Sequence, residues 1–376
     1  MKTVLKLLLF LAAFCGIYWF VFYQTPQQKI FARELALAQS GDVQAAVRTA
    51  EFFKRGEGVR QDGAQAAEWY RKAALAGDAG AAYELAELYI TGDILPKDEA
   101  EALVYLRLAA QADEPRAQRE LARFYEEGLG GVEKHRGEAL LWRFFAVQNG
   151  DRESVLALEK AQKDQPELYA QIKALEENLT AAREGSAAAR IRAGLAYRAG
   201  NSVLQNNEEA ARLFTLAWEE NKQAQAAYEL SEMYRNGVGV EQDADKAAAL
   251  MGQAAQLAYP AAQYALGEEA YKADPPRYQD AFAWFSNAAA GGYVKAQYMT
   301  GFMLMQGQGT ERSVPLAVKF FRDAAEHGHV AAQYVLGQIY VKGLGIAPDK
   351  KAGKDWLSRA AQNGSTEAQM LLDSLQ

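Results

Sequence analysis

Apolar residues recur along most of the chain at the i, i+3, i+4, i+7 spacing of an amphipathic helix. The segments AAYELAELYITG (81–92) and AAQYVLGQIYVKG (331–343) show this spacing, and both end at a glycine. Glycine readily takes the left-handed conformation that closes a helix C-terminus. A short loop and a potential aspartate N-cap follow, as in DADKAAALMGQAA (243–255). The pattern therefore predicts helical hairpins joined by tight turns.

Three columns of residues share one register of about 36 residues, which indicates a repeat array. The column of helix-ending glycines is Gly56, Gly92, Gly128, Gly200, Gly237, Gly307 and Gly343, with Ala273 at the place expected inside the longest gap of the second half. The column of bulky residues is Trp69, Tyr105, Trp142, Leu213, Leu250, Trp284, Phe320 and Trp356. Four positions after each of these residues comes an alanine: Ala73, Ala109, Ala146, Ala217, Ala254, Ala288, Ala324 and Ala360. We expect the alanines to allow close helix approach and the bulky side chains to fill the space between units.

The motif A-x-x-L-G-x-x-Y-x-x-G-x-G, then D, then W-x-x-x-A-A-x-x-G is close to complete in residues 331–364. It resembles the Sel1-like repeat family, which is related to the tetratricopeptide repeat. The resemblance covers about three quarters of the chain and is strong for the fold, but it is weak for function because its positions are packing and turn residues. The units are 44–78, 79–114, 115–151, 186–222, 223–260, 261–293, 294–329 and 330–365.

The predicted fold is an all-α solenoid of about nine helical hairpins, preceded by one transmembrane helix. Residues 152–185 keep the length of a repeat but lack the glycine turn, so we interpret them as a degenerate hairpin. The predicted order is residues 1–24 as a signal anchor, 25–43 as a capping helix, 44–151 as three repeats, 152–185 as the degenerate hairpin, 186–365 as five repeats, and 366–376 as a C-terminal capping helix.

An apolar run near the N-terminus predicts a membrane span through residues 4–23. As a helix, this run would span roughly 26 to 30 Å, the thickness of a bilayer core. Lys2 and Lys6 favour a cytoplasmic N-terminus, with the repeats in the periplasm of a bacterium. The alternative is a cleaved signal peptide and a soluble periplasmic protein. Phe14 directly before Cys15 argues against a lipoprotein signal.

The charge and cysteine content narrow the classes of function. The chain has a net charge of −7, and after residue 24 it carries 39 basic and 48 acidic side chains. An acidic surface repels phosphate backbones, so nucleic acid is not an expected partner. Because Cys15 is the only cysteine, neither an intrachain disulfide nor a cysteine-based metal site can form.

Neither the glycine-rich turns nor the histidines point to a reaction. The GxG pieces recur at the repeat period with no strand before them and no Lys-Ser/Thr after them, which favours helix-ending turns over phosphate binding. His327 and His329 could bind a metal if Glu326 joined them, but loop histidines without that role are commoner, and we read His135 in the same way. We therefore expect no catalytic residue, no cofactor and no metal.

A tyrosine column is the candidate binding feature. Its members lie in the first helix of a hairpin, two positions before a Leu or a Thr. The resemblance implies that these first helices line the concave face of the solenoid. Tyrosine offers a large contact area at low entropic cost, which suits partner binding; packing between repeats is the alternative. Tyr83 belongs to the column, and the candidate partner-binding residues are Tyr228, Tyr264, Tyr298 and Tyr334.

An open solenoid offers a long surface without an enclosed pocket, which favours protein or peptide ligands. The resemblance implies a non-enzymatic adaptor for envelope, secretion or signalling proteins. The alternatives are a modulator of peptidoglycan enzymes and a β-lactam-binding or hydrolysing enzyme. The cysteine-rich Sel1-like proteins associated with the β-lactam activity carry a disulfide in each repeat, which this chain lacks.

Overall fold

The computed structural model describes residues 25–375, and these residues form helices and turns without a β-strand. The all-α prediction is therefore confirmed for this part of the chain. The helices are α1 (Pro26–Gln39), α2 (Val43–Arg55), α3 (Gly63–Leu75), α4 (Ala79–Thr91), α5 (Glu99–Gln111), α6 (Pro115–Glu127), α7 (Arg136–Gln148), α8 (Glu153–Asp164), α9 (Pro166–Arg183), α10 (Ala187–Ala199), α11 (Asn207–Asn221), α12 (Ala224–Asn236), α13 (Ala244–Gln256), α14 (Pro260–Lys272), α15 (Tyr278–Ala290), α16 (Val294–Gln306), α17 (Val314–Glu326), α18 (Val330–Lys342), α19 (Lys350–Gln362) and α20 (Thr366–Ser374).

The predicted membrane span at residues 4–23 lies outside the described residues. None of the twenty described helices combines the length and the apolar character that crossing a bilayer requires.

The helices group into two compact units. Unit 1 contains the described residues up to Glu177 together with the loop Gly200–Leu204, and unit 2 contains Asn178–Ala199 and the residues from Gln205 onward. Within each unit, the first and second helices of every repeat pack as a hairpin, and each second helix contacts the first helix that follows it. The hairpins therefore stack in chain order, as expected for a solenoid.

The helix ends use the predicted glycine and aspartate residues. Gly56 and Gly343 end α2 and α18 with φ values of 72° and 68°, in the left-handed region. Asp243 caps α13 by accepting a 2.9 Å hydrogen bond from the Lys246 amide, and Asp349 caps α19 in the same way. These bonds satisfy backbone groups that have no partner inside the helix.

In three hairpins of unit 2, the fully buried side chain is a phenylalanine one position after the bulky column. Phe214, Phe285 and Phe321 are fully buried, whereas Trp284 and Trp356 in the column itself are only partly buried. A Cβ added to Gly267 would lie 2.7 Å from the Phe285 ring, so a glycine on the first helix makes room for the ring. Trp284 and Trp356 pack against hydrophobic clusters that span neighbouring repeats, which agrees with the expected place of the bulky column between units.

Neighbouring repeats are in contact where the loop between the two helices of one hairpin touches the N-terminus of the second helix of the hairpin before it. A Cβ on Gly309 would lie 2.0 Å from the carbonyl oxygen of Tyr278, the first residue of α15. At another junction the glycine is on the helix, since a Cβ on Gly63 would lie 2.0 Å from the Ile94 oxygen. Each of these contacts requires one partner without a side chain.

A buried glutamine also ties first helices to the preceding repeat. Gln333 donates a 3.0 Å hydrogen bond to the Ala325 carbonyl, which lies in the last turn of α17. Its amide oxygen accepts a 3.1 Å bond from Asn363, the C-cap of α19. Gln118 makes the equivalent pair of bonds in unit 1. These glutamines set the position of the first helices, on which the candidate site is built.

Candidate functional site

The four candidate tyrosines lie at equivalent positions on the first helices of unit 2. Tyr228, Tyr264, Tyr298 and Tyr334 belong to α12, α14, α16 and α18, and each is half-buried. An amphipathic side chain in this state packs with part of its ring and leaves the rest available to a ligand. Both roles considered for the column are therefore open to these residues.

Each of three column tyrosines packs its ring against the ring of the residue that caps the next first helix. The ring centroids of Tyr228 and Tyr259 are 5.2 Å apart, and those of Tyr264 and Tyr293 are 5.0 Å apart. The His329 ring lies parallel to Tyr298 at 4.6 Å, with an interplanar angle of 19°. Tyr334 instead accepts a 2.7 Å hydrogen bond from Gln338. We call these seven rings the aromatic strip: Tyr228, Tyr259, Tyr264, Tyr293, Tyr298, His329 and Tyr334.

The cap residues of the aromatic strip were missed from the sequence. Tyr259, Tyr293 and His329 come five residues before a column tyrosine, and this spacing could have identified them as a second column. Tyrosine is not a favoured N-cap residue, and neither Tyr259 nor Tyr293 makes a side-chain capping bond. Their packing against the preceding tyrosine explains their presence at these positions.

The surroundings of three column tyrosines raise the pKa of their phenol groups. Burial together with the Glu268 carboxylate raises the pKa of Tyr264 to about 12. Burial, then Glu232 and Glu229, raises the pKa of Tyr228 above its usual value, and burial alone does so for Tyr298. These tyrosines therefore present uncharged rings and hydroxyl groups to a ligand at neutral pH.

His329 has a defined structural role within the aromatic strip. Its Nδ1 atom accepts a 3.2 Å hydrogen bond from the Ala332 amide and so caps α18. Burial, followed by the nearby positive charge of Lys295, lowers the pKa of His329. The neutral imidazole is thus the form that both caps the helix and stacks on Tyr298.

In unit 1, an arginine side chain lies against the column tyrosine, where unit 2 has an aromatic ring. Tyr83 is buried, and the Arg116 guanidinium lies 4.3 Å from its ring centroid. The same guanidinium pairs with Glu114 at 2.8 Å and with Glu84 at 3.2 Å. The tyrosine column therefore meets an ion-pair cluster in unit 1 and an aromatic strip in unit 2.

The other candidate groups have structural contacts. His135 caps α7 by accepting a hydrogen bond from the Glu138 amide, and His327 contacts the Asp323 carbonyl. Within residues 25–375, no group of His, Asp and Glu side chains has the geometry to hold a metal ion. The GxG pieces serve as the turns and repeat junctions described above.

Comparisons with known proteins identify the repeat. Sel1 repeats are recognised across more than half of the chain, at residues 43–78, 79–114, 115–142, 187–221, 224–259, 260–293, 294–329 and 330–365. No match is found among curated proteins.

Solved structures of similar proteins come from several bacteria. A Sel1 repeat protein from Oxalobacter formigenes is 26% identical, with 92% of this chain and 90% of that chain covered and a TM-score of 0.49. A protective antigen with an SLR fold from uropathogenic Escherichia coli is 23% identical, with coverage of 92% and 91% and a TM-score of 0.35. The immunity protein Pa5087 from Pseudomonas aeruginosa is 21% identical, with coverage of 57% and 83% and a TM-score of 0.39.

Proposed function

Because this chain belongs to the Sel1 repeat family, whose solenoids commonly serve as protein–protein interaction scaffolds, we propose that it is a non-enzymatic adaptor that binds partner proteins on the aromatic strip. The observation that carries the proposal is the run of half-buried rings on the first helices of unit 2. Aromatic residues with one accessible side are enriched in protein interfaces, where they supply much of the binding energy.

Capture of partners by the full-length protein tests this proposal. A photo-reactive residue at Ala331, an exposed position on α18, would crosslink the bound partner in the native cell before purification. The combined change Tyr298→Ala and Tyr334→Ala is expected to abolish the crosslinked product. Tyr234→Ala serves as the matched control, because Tyr234 is also half-buried but contacts Lys246 on the second helix of its own repeat.

The result is interpretable only if both variants keep their helical circular dichroism. Crosslinking that survives removal of Tyr298 and Tyr334 but disappears in the Tyr234 variant would reject the aromatic strip as the binding surface. A collapse of the melting temperature in the double variant alone would assign these tyrosines to packing.

For the cellular location, we propose the inner membrane of a bacterium, with the N-terminus cytoplasmic and the repeats periplasmic. The uncharged run Leu7–Tyr23, with Lys2 and Lys6 before it, supports this location. Protease added to spheroplasts is expected to digest the repeats and to leave a small N-terminal fragment in the membrane. Release of a shortened, soluble protein into the periplasmic fraction would favour the alternative of a cleaved signal peptide.

A further inference from the structure

The first helices of the last two complete repeats have an unusual charge pattern. The only charged residue of α16 is Lys295, and the only one of α18 is Lys342, although the chain as a whole is acidic. Lys295 is exposed and forms no ion pair within residues 25–375. By contrast, Arg235 and Lys272 on the two preceding first helices pair with carboxylates of their own helices. The two first helices at this end of the aromatic strip, α16 and α18, therefore carry ammonium groups and no carboxylate.

Lys295 occupies the repeat position that Arg116 occupies in unit 1. Both are the second residue of a first helix, and both come from the repeat that follows a column tyrosine. At Arg116 the chain supplies two carboxylates, Glu84 and Glu114, beside the ring of Tyr83. Unit 1 thus contains an assembled example of a basic side chain that holds carboxylates next to a column tyrosine.

The carboxylates of that example are missing around Lys295. The position of Glu84, one after the column tyrosine, is Ala265, and the position of Glu114, the N-cap, is Tyr293. The positive charge of Lys295 also acts on His329, which stacks on Tyr298. Lys295 also lies three positions before Tyr298 on α16, so the basic group and this ring lie on the same face of one helix.

We propose that this end of the aromatic strip binds a partner peptide that carries a carboxylate next to an aromatic or aliphatic side chain. The carboxylate pairs with the Lys295 ammonium, and the apolar side chain packs on Tyr298, which lies on the same helix. A single exposed ion pair contributes little to affinity, so a free anion binds weakly and the apolar contact must accompany the charge. This proposal rests on the proposed function, because it assigns the chemistry of the ligand to the same surface.

Selection from a random dodecapeptide display library by the full-length protein tests this assignment. We expect peptides selected by the wild-type protein to be enriched in Asp and Glu next to Phe, Tyr, Leu or Ile. Lys295→Glu is expected to remove the acidic enrichment and to favour Lys and Arg, because it replaces attraction by repulsion. For one selected peptide, fluorescence anisotropy should then show a loss of affinity of about five- to tenfold in Lys295→Glu.

Lys319→Glu is the matched control, since Lys319 is also exposed but lies on α17, a second helix. It should leave the selected composition unchanged. Peptides that depend on Tyr298 and Tyr334 but show no acidic enrichment would overturn the carboxylate proposal and leave the proposed function standing. Failure to select any peptide that depends on those tyrosines would reject the proposed function, and with it this inference.

Discussion

The contact between a hairpin loop and the preceding second helix leads to a quantitative prediction for Gly309→Ala. Gly309 has a φ of +67°, which costs an L-residue about 1 to 2 kcal/mol. The added Cβ would also lie 2.0 Å from the Tyr278 oxygen and 2.3 Å from its carbonyl carbon. Relieving that overlap moves the backbone by more than 1 Å, and overpacking of this kind costs about 1 to 3 kcal/mol. We therefore expect a total loss of about 2 to 5 kcal/mol in the free energy of unfolding.

Gly328→Ala is the matched control, because it carries the backbone strain without the overlap. Gly328 has a φ of +83°, and a Cβ there would have no neighbour within 4 Å. The free energy of unfolding is measured in urea by circular dichroism, and hydrogen exchange reports protection at the start of α15. Equal losses in the two variants would refute the reasoning that the loop requires close approach to Tyr278.

A second pair of variants removes the effect of backbone strain. Gly63 lies at the start of α3, and a Cβ there would overlap the Ile94 oxygen, whereas Gly252 lies within α13 with open space around it. Gly63→Ala should destabilise the protein, and Gly252→Ala should stabilise it by up to about 1 kcal/mol through helix propensity. A stabilising Gly63→Ala would contradict the junction geometry.

Three further predictions concern buried polar groups. Tyr70→Phe should leave the protein as stable, or up to about 1 kcal/mol more stable, in urea unfolding. The buried Tyr70 hydroxyl has no hydrogen-bond partner within residues 25–375, and burial raises its pKa. A loss of more than about 1 kcal/mol would show that the hydroxyl has a partner. Glu138 accepts a 2.9 Å hydrogen bond from the Leu204 amide, and burial raises the pKa of its carboxyl group. Glu138→Gln keeps an acceptor for this bond and should preserve stability at pH 7. Glu138→Ala leaves the amide without its acceptor and should lose about 1 to 3 kcal/mol. Because the pKa of His329 is lowered on folding, its contribution is complete above pH 6.5 and is lost as the pH falls through the folded value. The fall in melting temperature between pH 7.5 and pH 5 should therefore be smaller in His329→Asn, which keeps a capping side chain, and an equal fall would contradict this role.

The hairpins could be predicted from the sequence because their signals are local. Glycine after an apolar helical run and aspartate before the next one determine helix ends through backbone conformation and capping, without distant contacts. The helix bounds around Gly343 and Asp349 follow this logic. A period of about 36 residues then predicts the stacking of the hairpins.

The contacts between repeats could not be assigned in the same way. Gln333 and Asn363 are polar residues that a hydrophobic pattern places at the surface, yet Gln333 is buried between α17 and α19. The residue that fills the inside of each hairpin was also not identified, since Trp284 and the adjacent Phe285 are both aromatic. Which of two neighbours points inward depends on the rotation of the helix, and periodicity determines that rotation only to about one residue.

The candidate site was predicted in part. The tyrosine column follows from the repeat register, but its pairing with Tyr259, Tyr293 and His329 joins residues that lie 29 to 31 positions apart, near the two ends of one repeat. Only the stacking of hairpins brings these rings together. That the Lys295 ammonium forms no ion pair within residues 25–375 could be recognised only by comparison with the ion pairs of Arg116.

The loop contact at Gly309 also constrains how such a chain can change its length. The junctions at Gly309 and Gly63 each join one loop to the second helix just before it. Duplicating or deleting one complete repeat therefore recreates a junction of the same kind. Adding a few residues within a hairpin displaces its loop from the neighbour and breaks the junction. Genetic variation in this array should consequently occur in steps of one whole hairpin, with each step lengthening or shortening the surface presented to partners.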